Sequence, residues 1–333
     1  MKIKVIFTGG TIGSRINSDK VELSGQPPYT LLRGFESPDM QFETAEPYSI
    51  LSEELSGSEL AKLARCIEKE SAGFDGVIVT HGTDTLAYTA AYLSYLFGDS
   101  LPIALVSSAA PLSSCHSNGR HNFAAALQYI KSGSKGVAVP WYFQGAAVIH
   151  HGARLFRQRP YDDLLQSIGD EVLFYMGPGA LAGSWRECSG SGRLSSLLSL
   201  SDEQLTGGFG RVLYIKALPG TFYPALAGSG AKAVMIESYH SGTLCADGRF
   251  ARFMSEAKEL GIPVFITGTG GRAQEYATAE KFRALGAISL PQAAPDAMYV
   301  KLCLALEAEG DLTEIMCEQC AGEMIPEANI LQK

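Results

Sequence analysis

The chain has no run of basic residues and no long hydrophobic stretch, and both absences exclude partners. Its densest basic cluster is Arg154, Arg157 and Arg159, set in 333 residues of net charge −8 and pI near 5.3. That is not the concentrated basic face a nucleic-acid backbone requires. No segment approaches the length of a membrane span. The opening MKIKVIFTGG holds too short an apolar run for a secretory leader. The sequence therefore reads as cytoplasmic, with neither nucleic acid nor membrane as a partner. Paired cysteine spacing is lacking too. Seven cysteines, at 66, 115, 188, 245, 303, 317 and 320, are odd in number and scattered, as expected of reduced thiols. Cys317 and Cys320 make one C-x-x-C with no second pair to complete a zinc set. The glycine loop TGGTIGS (8 to 14) lacks the lysine of a P-loop and the spacing of a dinucleotide fingerprint, which argues against a nucleotide. There is no internal repeat and no low-complexity tract.

What is present is a hydrophobic content of 46%, enough for one large or two medium cores, and a regular alternation of strand-like and helix-like runs. KIKVIFTGG, FDGVIVTHG, PIALVSS and KGVAVPWYF read as strands. Between them SGSELAKLARCIEKES, LAYTAAYLSYLF and NFAAALQYIKSG read as helices. Such alternation implies an α/β fold with a parallel sheet and helices on both faces. A Ser- and Gly-rich stretch at 191–209 reads as a linker between a domain at 1–190 and a smaller α/β domain at 210–333, where the alternation resumes.

In parallel sheets ligands gather outside the carboxyl ends of the strands. Three such ends are unusually polar: TGGTIGS, THGTDT (80 to 85) and SSAAPLSS (107 to 114). A threonine held by glycines can attack a carbonyl if its proton is removed, and helix N-terminal amides nearby can stabilise the oxyanion. Thr11 and Thr83 are the two such hydroxyls, each preceded by glycine, with Asp84 beside Thr83. Thr83 and Asp84 are equally the residue types that cap a helix, so the residues alone leave both readings open.

Together FTGGTIGS and VIVTHGTDTLAYTA resemble the two signature segments of the bacterial-type L-asparaginase and glutaminase family. YSILSEELS, SSAAPLSSCHSNGRHNFAAAL, GIPVFITGTGG and LGAISLPQAAPDAMYVKL extend the likeness over most of the chain. The resemblance implies a larger N-terminal domain and a smaller, flavodoxin-like C-terminal one. It implies an amidohydrolase acting on asparagine or a related amide, without metal or organic cofactor, in which Thr11 forms the acyl-enzyme. Thr83, partnered by Asp84, would assist the second half-reaction. Ser52 and Asp84 would hold the substrate's α-carboxylate and α-amino groups beside Gly10, Gly82 and Thr83. Ser108 would offer a carbonyl or hydroxyl to the amide. Glu275, in TGTGGRAQEYAT, would reach the amino end in a neighbouring subunit's site or be an ordinary loop carboxylate, and a homodimer or homotetramer is expected.

The family's proton relay uses a lysine, and here HHGARLFRQRPYDDLLQS contains none. Arg157 or Arg159 could orient Asp84 but cannot act as a base. His150 or His151 could act as one, or be structural. The third loop departs as well, with SSAAP and HSNG in place of the family's runs, and Tyr29 is the nearest tyrosine to the first glycine loop. Two classes of function remain: an amidohydrolase, favoured by the pair of threonines, and a weakened or non-hydrolytic binder of a small amino acid or amide, favoured by the missing lysine.

Overall fold

The computed structural model describes residues 1–17, 20–23, 29–170, 172–175, 181–182, 190–269 and 276–325. The first sheet is built from β1 (Lys2–Phe7), β4 (Gln41–Ala45), β5 (Gly76–Thr80), β6 (Pro102–Val106), β7 (Gly136–Phe143), β8 (Ala146–His151), β9 (Val172–Tyr175) and β10 (Leu181–Ala182). A separate hairpin pairs β2 (Ser14–Asn17) with β3 (Lys20–Leu23). The sheet order is β10-β9-β8-β7-β6-β5-β1-β4; β4, β1, β5, β6 and β7 run parallel, and β8 to β10 are antiparallel. Sequence reading anticipated the buried parallel strands but not β4, whose QFETA is polar and mostly exposed at the sheet edge.

The parallel strands are near-continuous apolar runs because both faces are covered. Alternate side chains go to opposite sides. Val77, Val79, Ile103 and Leu105 face α1 (Gly57–Glu70) and α2 (Leu86–Phe97), while Ile78, Ala104 and Val106 face α3 (Gly119–Lys131). Helix α1 starts at Ser56, whose hydroxyl accepts from the Ser58 N–H, and it buries Leu60, Leu63 and Ile67 along one stripe. Helix α2 is different, since every residue but Tyr88 is buried. A helix that apolar must be covered on more than one side.

Its second cover is the rest of the chain. The smaller sheet, β11 (Val212–Lys216), β12 (Ala233–Glu237), β13 (Val264–Thr267) and β14 (Ile288–Ser289), is wholly parallel. On one face it packs α5 (Gly248–Glu259) and α6 (Ala277–Ala284) through Phe250, Phe253 and Phe282. On the other lies α7 (Pro295–Ala305), which is pressed between this sheet and α2, so that Met235, Phe265, Met298 and Leu302 share one core with α2. The Tyr95 phenol donates to Ala297 O (3.2 Å) across that seam.

The stretch read as a linker is packed. A 3-10 turn at Arg193–Ser199 and α4 (Asp202–Leu205), with a Ser201/Gln204 capping box, bury Leu194, Leu197 and Leu205 in the same core, and Tyr92 donates to Leu205 O (2.8 Å). Its serines serve as caps and its leucines as core residues. Composition alone suggested a tether; the spacing of the leucines was the overlooked signal. Among the described residues no helix is long and apolar enough to cross a membrane.

After α8 (Leu312–Cys317) the chain returns under α7 and is held by buried charge. Lys301 Nζ, wholly buried, pairs with the equally buried Glu323 (2.7 Å), whose carboxylate also accepts the N–H groups of Cys320 (3.1 Å) and Ala321 (2.8 Å). Arg154 Nε donates to Gly322 O (2.6 Å) and its Nη2 to Met324 O (3.0 Å). Removing one member of such a pair leaves the other charge uncompensated. Glu323→Ala is expected to lower unfolding free energy by about 3–5 kcal/mol in urea titration, and a loss under about 1 kcal/mol, the scale of a surface pair, would contradict this view of the segment.

Candidate active site

The first loop leaves β1 through Thr8, whose hydroxyl donates to Thr80 O (2.6 Å) at the end of β5. Gly9 bridges to Ile50, Gly10 N–H donates to Ile50 O (3.1 Å) and Ile50 N–H returns to Thr8 O (3.2 Å), so the segment before Ser52 is stitched to the loop. Gly10 stands at φ +74° and ψ −178°, a conformation essentially reserved for glycine. A Cβ there would lie 2.3 Å from Gly82 N, and one on Gly82 would lie 2.4 Å from Ser52 Cβ. The two glycines are the contact by which the first loop, the second loop and Ser52 touch. Thr11 follows at once, half-buried, opening a short 3-10 turn (Thr11–Gly13) that Ser14 ties back through Gly10 O (2.9 Å).

The second loop begins at His81, buried against β6 by its N–H to Val106 O (2.9 Å). Its Nδ1 meets Gly82 O (2.8 Å) and its Nε2 meets Thr89 Oγ1 (2.9 Å). Burial pushes the imidazole down to about 4, so the ring is a neutral brace under the loop. Thr83 is half-buried and Asp84 exposed. Asp84 Oδ2 accepts from Ser52 Oγ (3.2 Å), and Thr85 Oγ1 donates to Ser52 O (2.9 Å). The capping alternative therefore fails. The N-cap of α2 is Thr85, with no side-chain cap bond, and Asp84 is turned to Ser52. The first N–H groups of α2 are left beside Thr83 and Asp84, where a developing negative charge is favoured.

In the third loop Ser107 and Ser108 are wholly buried and Ala109 is exposed. The Ser108 hydroxyl donates to Ala110 O (2.6 Å) and lies 2.9 Å from Ser117 Oγ. It is spent inside the loop, which leaves backbone as what the loop can offer. Beneath the site, Thr80 Oγ1 and Ser107 Oγ are buried without partners among the described residues, a cost of about 1–3 kcal/mol each. A cavity of about 500 Å³ lined by Leu55, Thr85, Tyr88, Phe209 and Tyr299 opens one helical turn away.

The substitutes for the missing lysine lie elsewhere. Arg157 N–H donates to Asp296 Oδ2 (3.0 Å), and its guanidinium reaches Tyr88 OH (3.3 Å), Asp296 (3.9 Å) and Glu237 (3.9 Å), with no contact to Asp84. Arg159 is exposed on the same loop. His150 and His151 sit on β8, which runs back down the sheet opposite Val139 and Ala138. His150 is bonded to Ser167 Oγ (2.8 Å); His151 lines a recess with Gly98 and Gly136 at the amino end of the strands. Burial pushes both below their ordinary value, His150 to about 4 and His151 to about 3, the latter also disfavoured by Arg154. Among the described residues no lysine bonds to Thr83 or Asp84. Tyr29 stands edge-on to Phe7 (5.5 Å, 82°) near the end of β1, about half exposed. Glu275 lies outside the described residues. Among the described residues no cluster of His, Cys, Asp or Glu is placed to hold a metal ion. Sequence reading missed His81, Tyr88 and Asn122; the only signal for the first was its place in the loop itself.

Comparison with known proteins agrees with this geometry. The family model described as asparaginase, N-terminal, matches residues 2–173. The L-asparaginase of Thermococcus kodakarensis is 28% identical over 345 residues, covering 97% of this chain and 99% of the relative. A glutamyl-tRNA(Gln) amidotransferase subunit of Aeropyrum pernix is 28% identical over 363 residues, covering 99% of this chain and 81% of the relative. The crystal structure of L-asparaginase I from Vibrio cholerae superposes with a TM-score of 0.75 at 22% identity, over 97% of this chain and 99% of that one.

Two outcomes are expected. Gly10→Ala should cost at least about 1–3 kcal/mol for the forced backbone conformation and weaken ligand binding at Ser52 and Asp84; a variant as stable and as active as the parent would show that the loops have room to part. The second concerns pH. His81 and His150 titrate near 4 when folded but near about 6.5 when unfolded. Below about 6.5 the unfolded chain binds protons that the folded chain refuses, so their contribution is present above that pH and lost progressively toward 4. Urea midpoints should fall across that window, and His150→Gln should flatten the slope.

Proposed function

The chain belongs to the asparaginase family, and on that footing we propose that it hydrolyses the side-chain amide of a small amino acid, asparagine or glutamine, to the acid and ammonia. The observation that carries the reading is the convergence of Thr11, Thr83–Asp84 and Ser52 through the Gly10–Gly82 contact. Ser52 and Asp84 hold the α-carboxylate and α-ammonium groups. Thr11 Oγ attacks the amide carbon, its proton goes to the departing nitrogen, and the C–N bond breaks to leave an acyl-threonine ester and ammonia. Water, assisted by Thr83 and Asp84, then attacks the ester, releasing the acid and restoring the Thr11 hydroxyl. The relatives divide between L-asparaginases and a component of an amidotransferase named for glutamyl-tRNA(Gln), so asparagine and glutamine are tested side by side. The protein acts in the cytoplasm as a dimer or tetramer, with Glu275 contributed across a subunit boundary.

One observation favours a slower or purely binding variant of this reading. Arg157 is committed to Tyr88, Asp296 and Glu237, so nothing cationic stands at Asp84 to pass a proton on. General-base assistance is worth on the order of a hundred- to ten-thousand-fold, and turnover is expected to be slow by that measure.

Ammonia release from asparagine and glutamine, with aspartate binding followed by calorimetry, tests both readings. Thr11→Ala should abolish release while changing stability by no more than about 0.5 kcal/mol, as for a surface substitution. Retained turnover in that variant would remove Thr11 from the chemistry. Aspartate binding without any release in the parent protein would select the binder.

A further inference from the structure

We propose that Asn118 is a positioning residue that fixes the Ser108–Ala109 peptide against the substrate's carboxamide, and so lets the site tell an amide from an acid. The inference rests on the amidohydrolase reading above.

Asn118 is the N-cap residue of α3, and asparagine at that place ordinarily spends its side-chain oxygen on the helix's own N–H groups. Here it makes no such bond. Its Nδ2 donates instead to Tyr142 O (3.0 Å), and its Oδ1 accepts the Ala109 N–H (2.9 Å) with the Ser108 hydroxyl at 3.4 Å. The partners settle which end of the amide is which, since a carbonyl can only accept and an N–H only donate. One turn on, Asn122 repeats the link: Nδ2 donates to Ser107 O (2.9 Å) and Oδ1 accepts the Tyr142 N–H (2.6 Å). Two asparagines on one helix face thus staple the loop after β6 to the end of β7, and the outer one forgoes its cap to do so.

The consequence lies in the peptide plane. In a trans peptide the N–H and C=O point opposite ways. With the Ala109 N–H drawn to Asn118, the Ser108 carbonyl is turned away from α3, while Ala109 is the loop's open side and Ser108 itself is covered. A ligand approaching from the Ala109 side meets an acceptor. A carboxamide brings N–H donors to it and a carboxylate brings none, so this peptide favours the amide and is indifferent or repulsive to the acid product.

The test separates positioning from stability because serine is itself a good N-cap. Asn118→Ser returns the cap to α3 but cannot span Ala109 and Tyr142. Asn118→Asp keeps the shape and the acceptor but loses the donor to Tyr142 O. Each is made in a Thr11→Ala background to prevent turnover, and asparagine and aspartate affinities are measured by calorimetry at neutral pH, with thermal unfolding alongside. Both variants should weaken asparagine about tenfold, the effect of one displaced hydrogen bond, and aspartate less than about twofold. Asn118→Ser should unfold no earlier than the background chain. In Asn118→Asp, asparagine affinity should recover as pH falls and the introduced carboxyl regains a donating proton. Unchanged asparagine affinity in both variants overturns the proposal, as does an equal loss for both ligands, which would mark Asn118 as merely structural. A Thr11→Ala background that binds neither ligand overturns the amidohydrolase reading and this inference with it; a background that binds both, with variants that behave like it, overturns this inference alone.

Discussion

Gly10 and Gly82 touch through bare backbone, and the candidate site depends on that contact more than on any other. Each glycine ends a different strand's loop, and neither has room for a methyl group. Without side chains between them, the β1 loop that carries Thr11 and the β5 loop that carries Thr83 and Asp84 share one plane of packing with Ser52. The hydroxyls are then placed by main chain rather than by long flexible side chains, which is the cheaper way in entropy to hold a reacting group. The cost appears nearby, in a conformation only glycine adopts readily and in the unpartnered hydroxyls of Thr80 and Ser107. Such departures concentrate where function competes with stability.

Helix α2 gives the contact its rigidity. It is buried against the first sheet on one side and against α7 on the other, with Tyr92 and Tyr95 bonded across to carbonyls of α4 and α7. A loop at the head of such a helix cannot drift without disturbing both sheets. The smaller sheet therefore supports the site from a distance, through packing, besides any group it lends to a neighbour. Arg157 adds a polar link on the same seam, joining Tyr88 on α2 to Asp296 on α7 and Glu237 on β12.

That engagement explains why an arginine does not stand in for the lysine. A guanidinium beside two carboxylates and a phenol gains several charge-assisted contacts at once, and leaving them for Asp84 would strand buried Asp296. Asp84 is instead satisfied by the Ser52 hydroxyl, a neutral donor. The site keeps its means of reading a zwitterion while its proton-transfer equipment is thinner than the family's, and slow chemistry with intact recognition is the physical consequence.

By itself the sequence determined what short-range patterns can encode. Two-faced burial writes parallel strands as apolar runs, so β1, β5, β6 and β7 were legible, and the helices between them by their length. The glycine and threonine signatures marked which strand ends carry chemistry, because close backbone approach and nucleophilic hydroxyls have few alternatives in residue type. The sequence could not say that the serine-rich stretch near 200 is core, since burial of Leu194, Leu197 and Leu205 depends on α2 being there to receive them. Nor could it separate Asp84 as a cap from Asp84 as a partner of Ser52, a residue distant in the chain. The same holds for His150 and His151, which a reversed strand carries away from the loops, and for Asn118, whose type favours a cap until Ala109 and Tyr142 are seen beside it. In each case the residue's chemistry was plain and its partner was not, because partners are chosen by how strands and helices stack in space, and adjacency along the chain carries no record of that.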